Sequence, residues 1–147
     1  MNIRTAVPED LSFIFAGIKE TQRVEKRSEN LLVLEQESKS AVSSIEKSEI
    51  WIAERAGEKA GFIWVKTDFH AMHMNSDNYL WVNLIYVREK FRQKGVGRLL
   101  HEEAVRIAKD LDKSELALDI FDVNEVSKLF YSPYCLQQVY TIYTVSF

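Results

Sequence analysis

The fold of this chain is decided by one stretch of its sequence, Val87-Arg88-Glu89-Lys90-Phe91-Arg92-Gln93-Lys94-Gly95-Val96-Gly97-Arg98. Five basic side chains crowd around its two glycines. An apolar run over residues 79–87 leads into it, and apolar residues at helical spacing follow it. The pattern predicts a buried strand that feeds a glycine-containing turn, which in turn opens a helix. Unbonded backbone N–H groups and the positive end of the helix dipole then meet at one spot, which suits a phosphate.

The composition indicates one ordinary soluble domain. The chain has 147 residues, of which 46% are hydrophobic and 28% charged. Its net charge is −3, so the basic cluster is local and favours a small anionic ligand over a nucleic acid. We expect no membrane span, since no apolar run reaches about 18 residues, and the first residues lack the apolar core of a signal peptide. A single cysteine, Cys135, indicates a reducing compartment and hence a cytoplasmic location.

Periodicity predicts the element order β-α-α-β-β-β-α-β-α-β, a mixed α/β fold in which helices flank a largely antiparallel sheet. The first helix begins at Pro8 and the second begins somewhere in residues 28–33. The other helices cover residues 96–111 and 124–131. The predicted strands cover residues 3–6, 50–54, 61–66, 79–87, 116–121 and 138–147.

Two motifs carry a family resemblance. Arg92-Gln93-Lys94-Gly95-Val96-Gly97 matches the acyl-CoA signature of Gln or Arg, two residues, Gly, one residue, then Gly or Ala. With the element order, this resembles the GNAT superfamily of acetyl-CoA-dependent N-acetyltransferases, from Ile3 to about Tyr131, and implies a single such domain over residues 1–147. A second stretch, Asn124 to Tyr131, is similar to the family pattern Asn-x-x-Ala-x-x-Leu-Tyr, with Ser127 and Phe130 substituted. The Gly-Phe pair common four residues later is replaced by Cys135 and Leu136.

The resemblance implies acetyl-CoA as the acyl-donor cosubstrate and no metal. Backbone N–H groups would bind the CoA pyrophosphate, with side-chain help from Arg92, Lys94 and Arg98. The strand end would pair with the pantetheine arm, at a place where the family strand carries a bulge. The cofactor-binding residues implied in this way are Ile85, Tyr86, Val87, Arg92, Gln93, Lys94, Gly95, Val96, Gly97, Arg98, Asn124 and Tyr131.

Two of these residues are also implied in catalysis. The Val87 N–H would stabilise the oxyanion of the tetrahedral intermediate. Tyr131 would be the general acid that protonates the departing thiolate. Asn124 would bond the pantetheine arm, cap a helix, or do both.

The general base and the acceptor remain open at this level. Asn83 is the only polar residue inside the 79–87 run and is no base, so the candidates are a water chain or Glu54, His70, His73 or Asp77. The acceptor is a primary amine of a small molecule or a protein. Aromatic residues in the strands, the 67–78 loop and the C-terminal segment, together with acids near the first two helices, favour a cationic one. Those acids are Glu20, Glu25, Glu29 and Glu35. The aromatic C-terminal strand would mediate a homodimer. The alternative function is a non-catalytic sensor that binds acyl-CoA.

Overall fold

The computed structural model describes residues 1–27 and 30–147. Five strands form one sheet in the order β1-β2-β3-β4-β5. Neighbouring strands are antiparallel except β5, which pairs parallel with β4. The strands are β1 Asn2–Thr5, β2 Ile50–Arg55, β3 Glu58–Lys66, β4 Tyr79–Val87 and β5 Glu115–Ala117. The helices are α1 Leu11–Val24, α2 Leu31–Glu46, α3 Val96–Asp110 and α4 Glu125–Tyr131.

The sheet separates two hydrophobic cores. Phe62, Trp64 and Tyr86 pack on one face with residues of α1 and α2. Ile63 and Val65 pack on the other face with residues of α3. Because the central strands β3 and β4 are covered on both faces, their sequences are apolar almost throughout. Within the described ranges, no helix is long and apolar enough to cross a membrane.

A bulge interrupts the pairing of β4 with β3. Trp64 pairs with Leu84 while Val65 pairs with Val82, so Asn83 is an extra residue in β4. The bulge reverses the alternation of side chains along the strand. Val82 before it and Ile85 after it both pack against the α3 core, although they are three residues apart.

The predicted element order is confirmed from β1 to α4, and the predicted last strand is wrong. Residues 138–147 form no strand, and Ile142, Tyr143 and Val145 are 78%, 87% and 87% exposed. Strand-forming side chains need a neighbouring strand to pair with, and in the described part of the chain this segment pairs with none. The fifth strand also ends at Ala117 rather than at residue 121.

The structure defines the start of the second helix, which the sequence left open over residues 28–33. Asn30 caps α2, because its side chain accepts a hydrogen bond from the Val33 N–H at 3.2 Å. Ser28 and Glu29 lie outside the described residues, so neither the predicted early start of this helix nor the acceptor role suggested for Glu29 is addressed.

Candidate functional site

A gap opens in the sheet between β4 and β5. The two strands pair only where Tyr79, Leu80 and Trp81 meet residues 115–117. Beyond Trp81, β4 continues to Val87, but β5 has ended. One edge of β4 is therefore left without a strand partner over its last six residues.

The backbone of β4 presents hydrogen-bonding groups to this gap. The Arg88 N–H donates to the Ala60 carbonyl at 2.9 Å, which fixes the phase of the antiparallel ladder. By the alternation of that ladder, the polar backbone groups of Tyr86 face β3, whereas those of Ile85 and Val87 face the gap. An extended ligand can pair with them as an added strand would.

The segment after β4 has the geometry of an anion-binding turn. Gly95 caps α3 with φ +82°, a conformation that glycine adopts without steric cost. Leu99 makes the first bond of the helical ladder, donating to the Gly95 carbonyl at 3.0 Å. The N–H groups of Val96, Gly97 and Arg98 therefore lie ahead of the ladder, at the positive end of the helix dipole. Gln93, with φ +57°, adds a second left-handed residue to the same turn.

Gly97 has a packing role that the motif did not reveal. A Cβ atom at this position would lie 2.9 Å from Cε2 of Phe130. The missing side chain thus lets α4 approach the first turn of α3. The same glycine serves the anion site and the placement of the residues on α4.

The basic side chains around the turn have distinct partners. Arg92 donates from Nε to the Val87 carbonyl at 2.9 Å and from Nη2 to Glu20 at 3.1 Å. Lys94 bonds a carbonyl within its own loop at 2.7 Å. The Arg98 side chain is 77% exposed beside the helix start. Arg92 therefore braces the turn against β4 and α1, and its predicted contact with phosphate remains a prediction.

Glu20 joins α1 to the end of β4. The Tyr86 hydroxyl donates to its carboxylate at 2.5 Å, and Arg92 bonds the other carboxylate oxygen. Burial and this carboxylate together raise the pKa of Tyr86 to about 12. An open cavity of about 680 Å³ adjoins the pair and is lined by Glu20, Arg23, Tyr86, Arg88, Glu89 and Lys90. The sequence suggested that Glu20 belongs to the acceptor site; in the structure it links α1 to Tyr86 and Arg92.

Tyr131 and Asn124 are both buried, and Tyr131 packs beside α3. The Tyr131 ring lies 4.8 Å from that of Phe130 and 6.1 Å from that of His101, centroid to centroid. Burial raises the pKa of Tyr131 above its ordinary value, so its phenol keeps its proton at neutral pH. Asn124 caps α4 by accepting the Ser127 N–H at 3.1 Å, which is one of the two roles the sequence allowed.

The side chains suggested as general bases contact other side chains of the protein. Glu54 lies on β2, two strands away from β4, and accepts a hydrogen bond from Arg4 at 2.9 Å. His70 is 3.9 Å from Asp77 in the exposed loop between β3 and β4. His73 packs on Tyr140, with the ring centroids 5.1 Å apart.

Sequence reasoning missed two carboxylates whose pKa values are raised in the fold. Asp119 follows β5 by two residues and is reachable by solvent, yet protein atoms crowd its carboxylate and the desolvation raises its pKa. Burial also raises the pKa of Glu37 on α2, against the opposing charges of Lys66 and Arg27. No motif marks either residue in the sequence.

Comparison with known proteins places this geometry in a family. The model of the acetyltransferase (GNAT) family matches residues 15–133. A curated relative, described as an uncharacterized N-acetyltransferase in the pepI 3' region of Lactobacillus delbrueckii subsp. lactis, is 33% identical over 76 residues. That alignment covers 52% of this chain and 44% of the relative, so the chain spans less than half the length of the curated protein it matches.

Solved structures share the fold. A mutant of the BH1408 protein from Bacillus halodurans superposes with a TM-score of 0.80 at 16% identity, covering 100% of this chain and 99% of that one. AAC(6')-Iy, solved with the bisubstrate analogue CoA-S-monomethyl-acetylneamine, gives a TM-score of 0.69 at 18% identity, covering 99% and 96%. The family match spans most of the chain, including the gap in the sheet and the strand–glycine–helix turn. The protein therefore belongs to the GNAT family of acetyltransferases, as its motifs predict.

Proposed function

We propose that the protein transfers an acetyl group from acetyl-CoA to a primary amine by direct attack within a ternary complex. The observation that carries this proposal is the gap beside β4. The backbone groups of Ile85 and Val87 face it, and the anion site at Gly95 lies just beyond its end. The amides of a pantetheine arm can pair with the backbone groups of Ile85 and Val87. The CoA pyrophosphate fits the N–H groups from Gln93 to Arg98.

The Val87 N–H is the proposed oxyanion donor. Arg92 holds the carbonyl of the same residue at 2.9 Å, which restrains the orientation of the strand end. A fixed donor aimed at the developing negative charge typically contributes about 3–4 kcal/mol to kcat. The bulge at Asn83 supports this assignment, because it bends β4 just before the residues in question.

Tyr131 is the proposed general acid. It gives its proton to the CoA sulfur as the carbon–sulfur bond breaks. Its phenol carries a proton at neutral pH, which a general acid requires. Its place on α4, held against α3 through Gly97 and Phe130, supports a fixed position for the hydroxyl.

The proposed acceptor is a cationic amine of a small molecule, with a lysine side chain of a protein as the other class to be tested. Two features favour a cation: the carboxylate of Asp119 just beyond the end of β5, and the structural likeness to AAC(6')-Iy with its acetylneamine-containing analogue. Neamine, spermidine and a lysine-containing peptide represent these acceptors.

The first test is calorimetric titration with acetyl-CoA, with ATP as a phosphate-bearing control. We expect micromolar binding of acetyl-CoA and none of ATP, because the gap selects the pantetheine arm. Absence of acetyl-CoA binding would remove the basis of the proposal. Release of the CoA thiol in the presence of each amine then measures turnover.

Tyr131→Phe separates an enzyme from a non-catalytic sensor. We expect kcat to fall roughly 10²-fold or more, with the Kd for acetyl-CoA unchanged, because only the transferable proton is removed. Tyr134→Phe is the matched control, since Tyr134 lies in the same aromatic cluster, 6.0 Å from Tyr131 between ring centroids. Acetyl-CoA binding without turnover on any amine would favour the sensor, and equal losses in both variants would assign Tyr131 a structural role.

A further inference from the structure

The segment after β5 lies opposite the bulge of β4. Trp81 pairs with Ala117 in parallel register, so extending that register by two residues sets Asn83 level with Asp119. β5 ends at Ala117, and the gap between the strands opens from there. Asn83 and Asp119 therefore flank the place where the sheet begins to part.

Asp119 belongs to the α1/α2 face of the sheet. Leu116 and Leu118 pack against the α3 core, so by alternation Asp119 turns the other way. Phe121 lies two residues after Asp119 and should point to the same face. Its ring does lie on the α1 side, because the Arg27 guanidinium, which follows α1, is 4.2 Å from the ring centroid. Tyr131 lies on the opposite side, with α3. An amine reaching the gap from the α1/α2 face would thus meet Asp119 on the side away from Tyr131.

Asn83 gives an independent sign of a ligand at this level. Its Nδ2 atom is buried and donates to no atom of the described residues. Buried amide donors in native proteins are nearly always satisfied. The extra residue of the bulge thus carries a buried donor without a protein partner, at the level of the sheet where β4 parts from β5.

The charges around Asp119 suit proton transfer. Desolvation raises its pKa, while Arg27 opposes the shift. Glu37 adds a second carboxylate from α2, with Lys66 and Glu25 as further charges acting on it. A carboxylate whose pKa is raised is a stronger base than an ordinary one.

We propose that Asp119 is the general base, taking the proton of the acceptor ammonium while the Asn83 side-chain amide orients the nitrogen. This assignment rests on the acetyl transfer proposed above. The ammonium gives one proton to the Asp119 carboxylate, and the nitrogen lone pair then forms a bond to the thioester carbonyl carbon. The carbon–sulfur bond breaks, and sulfur takes the Tyr131 proton. The second nitrogen proton returns through water to Tyr131, and Asp119 releases its proton to solvent, so one proton leaves per turnover.

The test compares Asp119→Asn with Asp112→Asn, the same change in an exposed turn after α3, where φ is +55° and Asn is well tolerated. The substrates are acetyl-CoA and whichever of neamine, spermidine and the lysine peptide the wild-type protein acetylates fastest. We expect Asp119→Asn to lower kcat/KM at pH 7 by roughly 10²- to 10³-fold, with the Kd for acetyl-CoA within about twofold. The deficit should shrink as pH approaches the acceptor pKa near 10, because the amine then loses its proton unaided.

Asp119→Glu keeps a carboxylate, so it shows whether a rate loss in Asp119→Asn comes from the missing carboxylate or from a folding defect. We expect it to regain a substantial part of the rate lost at pH 7 and to keep the wild-type pH profile. Wild-type rates and an unshifted profile in Asp119→Asn, with turnover intact in the wild type, would overturn the Asp119 assignment and leave acetyl transfer standing. A constant rate deficit at every pH, equally severe in Asp119→Glu, would also overturn it. A wild type that binds acetyl-CoA but acetylates none of the amines would overturn both proposals.

Discussion

Gly61→Ala tests whether close packing of β3 on β4 sets the position of Val87. Gly61 pairs with Val87 across the two strands. A Cβ atom at Gly61 would overlap the Tyr86 carbonyl oxygen and lie 3.2 Å from Val87 Cα and 3.3 Å from Leu100 Cδ1. Two of these neighbours are backbone atoms, so no change of rotamer relieves the overlap. The strand that carries Val87 must move instead.

The geometry sets the expected magnitude. Carbon atoms pack best at about 3.5–4.0 Å, so the strands must separate by several tenths of an ångström to about one. Overpacking of this kind costs about 1–3 kcal/mol of folding free energy. A displacement of about 1 Å in a catalytic group can cost about 10²-fold in rate. We therefore expect loss of stability and a larger proportional loss of kcat, with a smaller change in acetyl-CoA affinity, since the turn at Gly95 lies farther along the chain.

Urea denaturation and steady-state thiol release measure the two effects. Gly57→Ala, in the turn of the same hairpin, is the matched control: its φ is +78° and nothing lies within 4 Å of the added methyl group. That control carries about 1 kcal/mol of backbone strain but displaces no strand, so it should retain turnover. If Gly61→Ala kept wild-type kcat, or if both variants lost it equally, the link between this pairing and the position of Val87 would be refuted.

Two further predictions concern the brace at Glu20 and the C-terminal segment. Glu20→Gln should lower the pKa of Tyr86 from about 12 while leaving it above the ordinary value, because burial, its largest cause, remains; ultraviolet titration of tyrosinate measures the shift. A phenol whose pKa is higher in the folded chain than in the unfolded chain stabilises the fold below about pH 10. This stabilisation is lost as the pH rises toward 12, and the loss of stability should be smaller in Glu20→Gln. Removal of residues 138–147 tests the homodimer inferred from their sequence. Light scattering should give twice the chain mass for the full chain and one chain mass for the truncated one, and a monomeric full chain would contradict the inference.

Much of the fold followed from local pattern. The strand, the glycine turn and the helix from residue 79 to residue 110 were predicted closely, because a long apolar run, a glycine with positive φ and a regular helical spacing each leave a local signature. Capping was one of the two roles expected for Asn124, and its signal is also local, since its partner lies three residues away.

Other features left no such signature. The bulge at Asn83 shifts the side-chain alternation, but β4 is apolar on both faces and the shift cannot be read from its residues. Residues 138–147 have the composition of a strand, yet a strand exists only where a neighbouring edge accepts its hydrogen bonds. Asp119 and Glu37 are ordinary surface residues in the sequence, and burial in the folded chain raises their pKa values.

The sequence by itself determined the element order as far as α4, the turn at Gly95 and the family, since these depend on residues close together along the chain. Where β4 parts from β5 and which backbone groups face the gap became clear only in the folded chain. These depend on contacts between segments far apart in sequence, such as Trp81 with Ala117, and such contacts are set by the packing of the whole sheet.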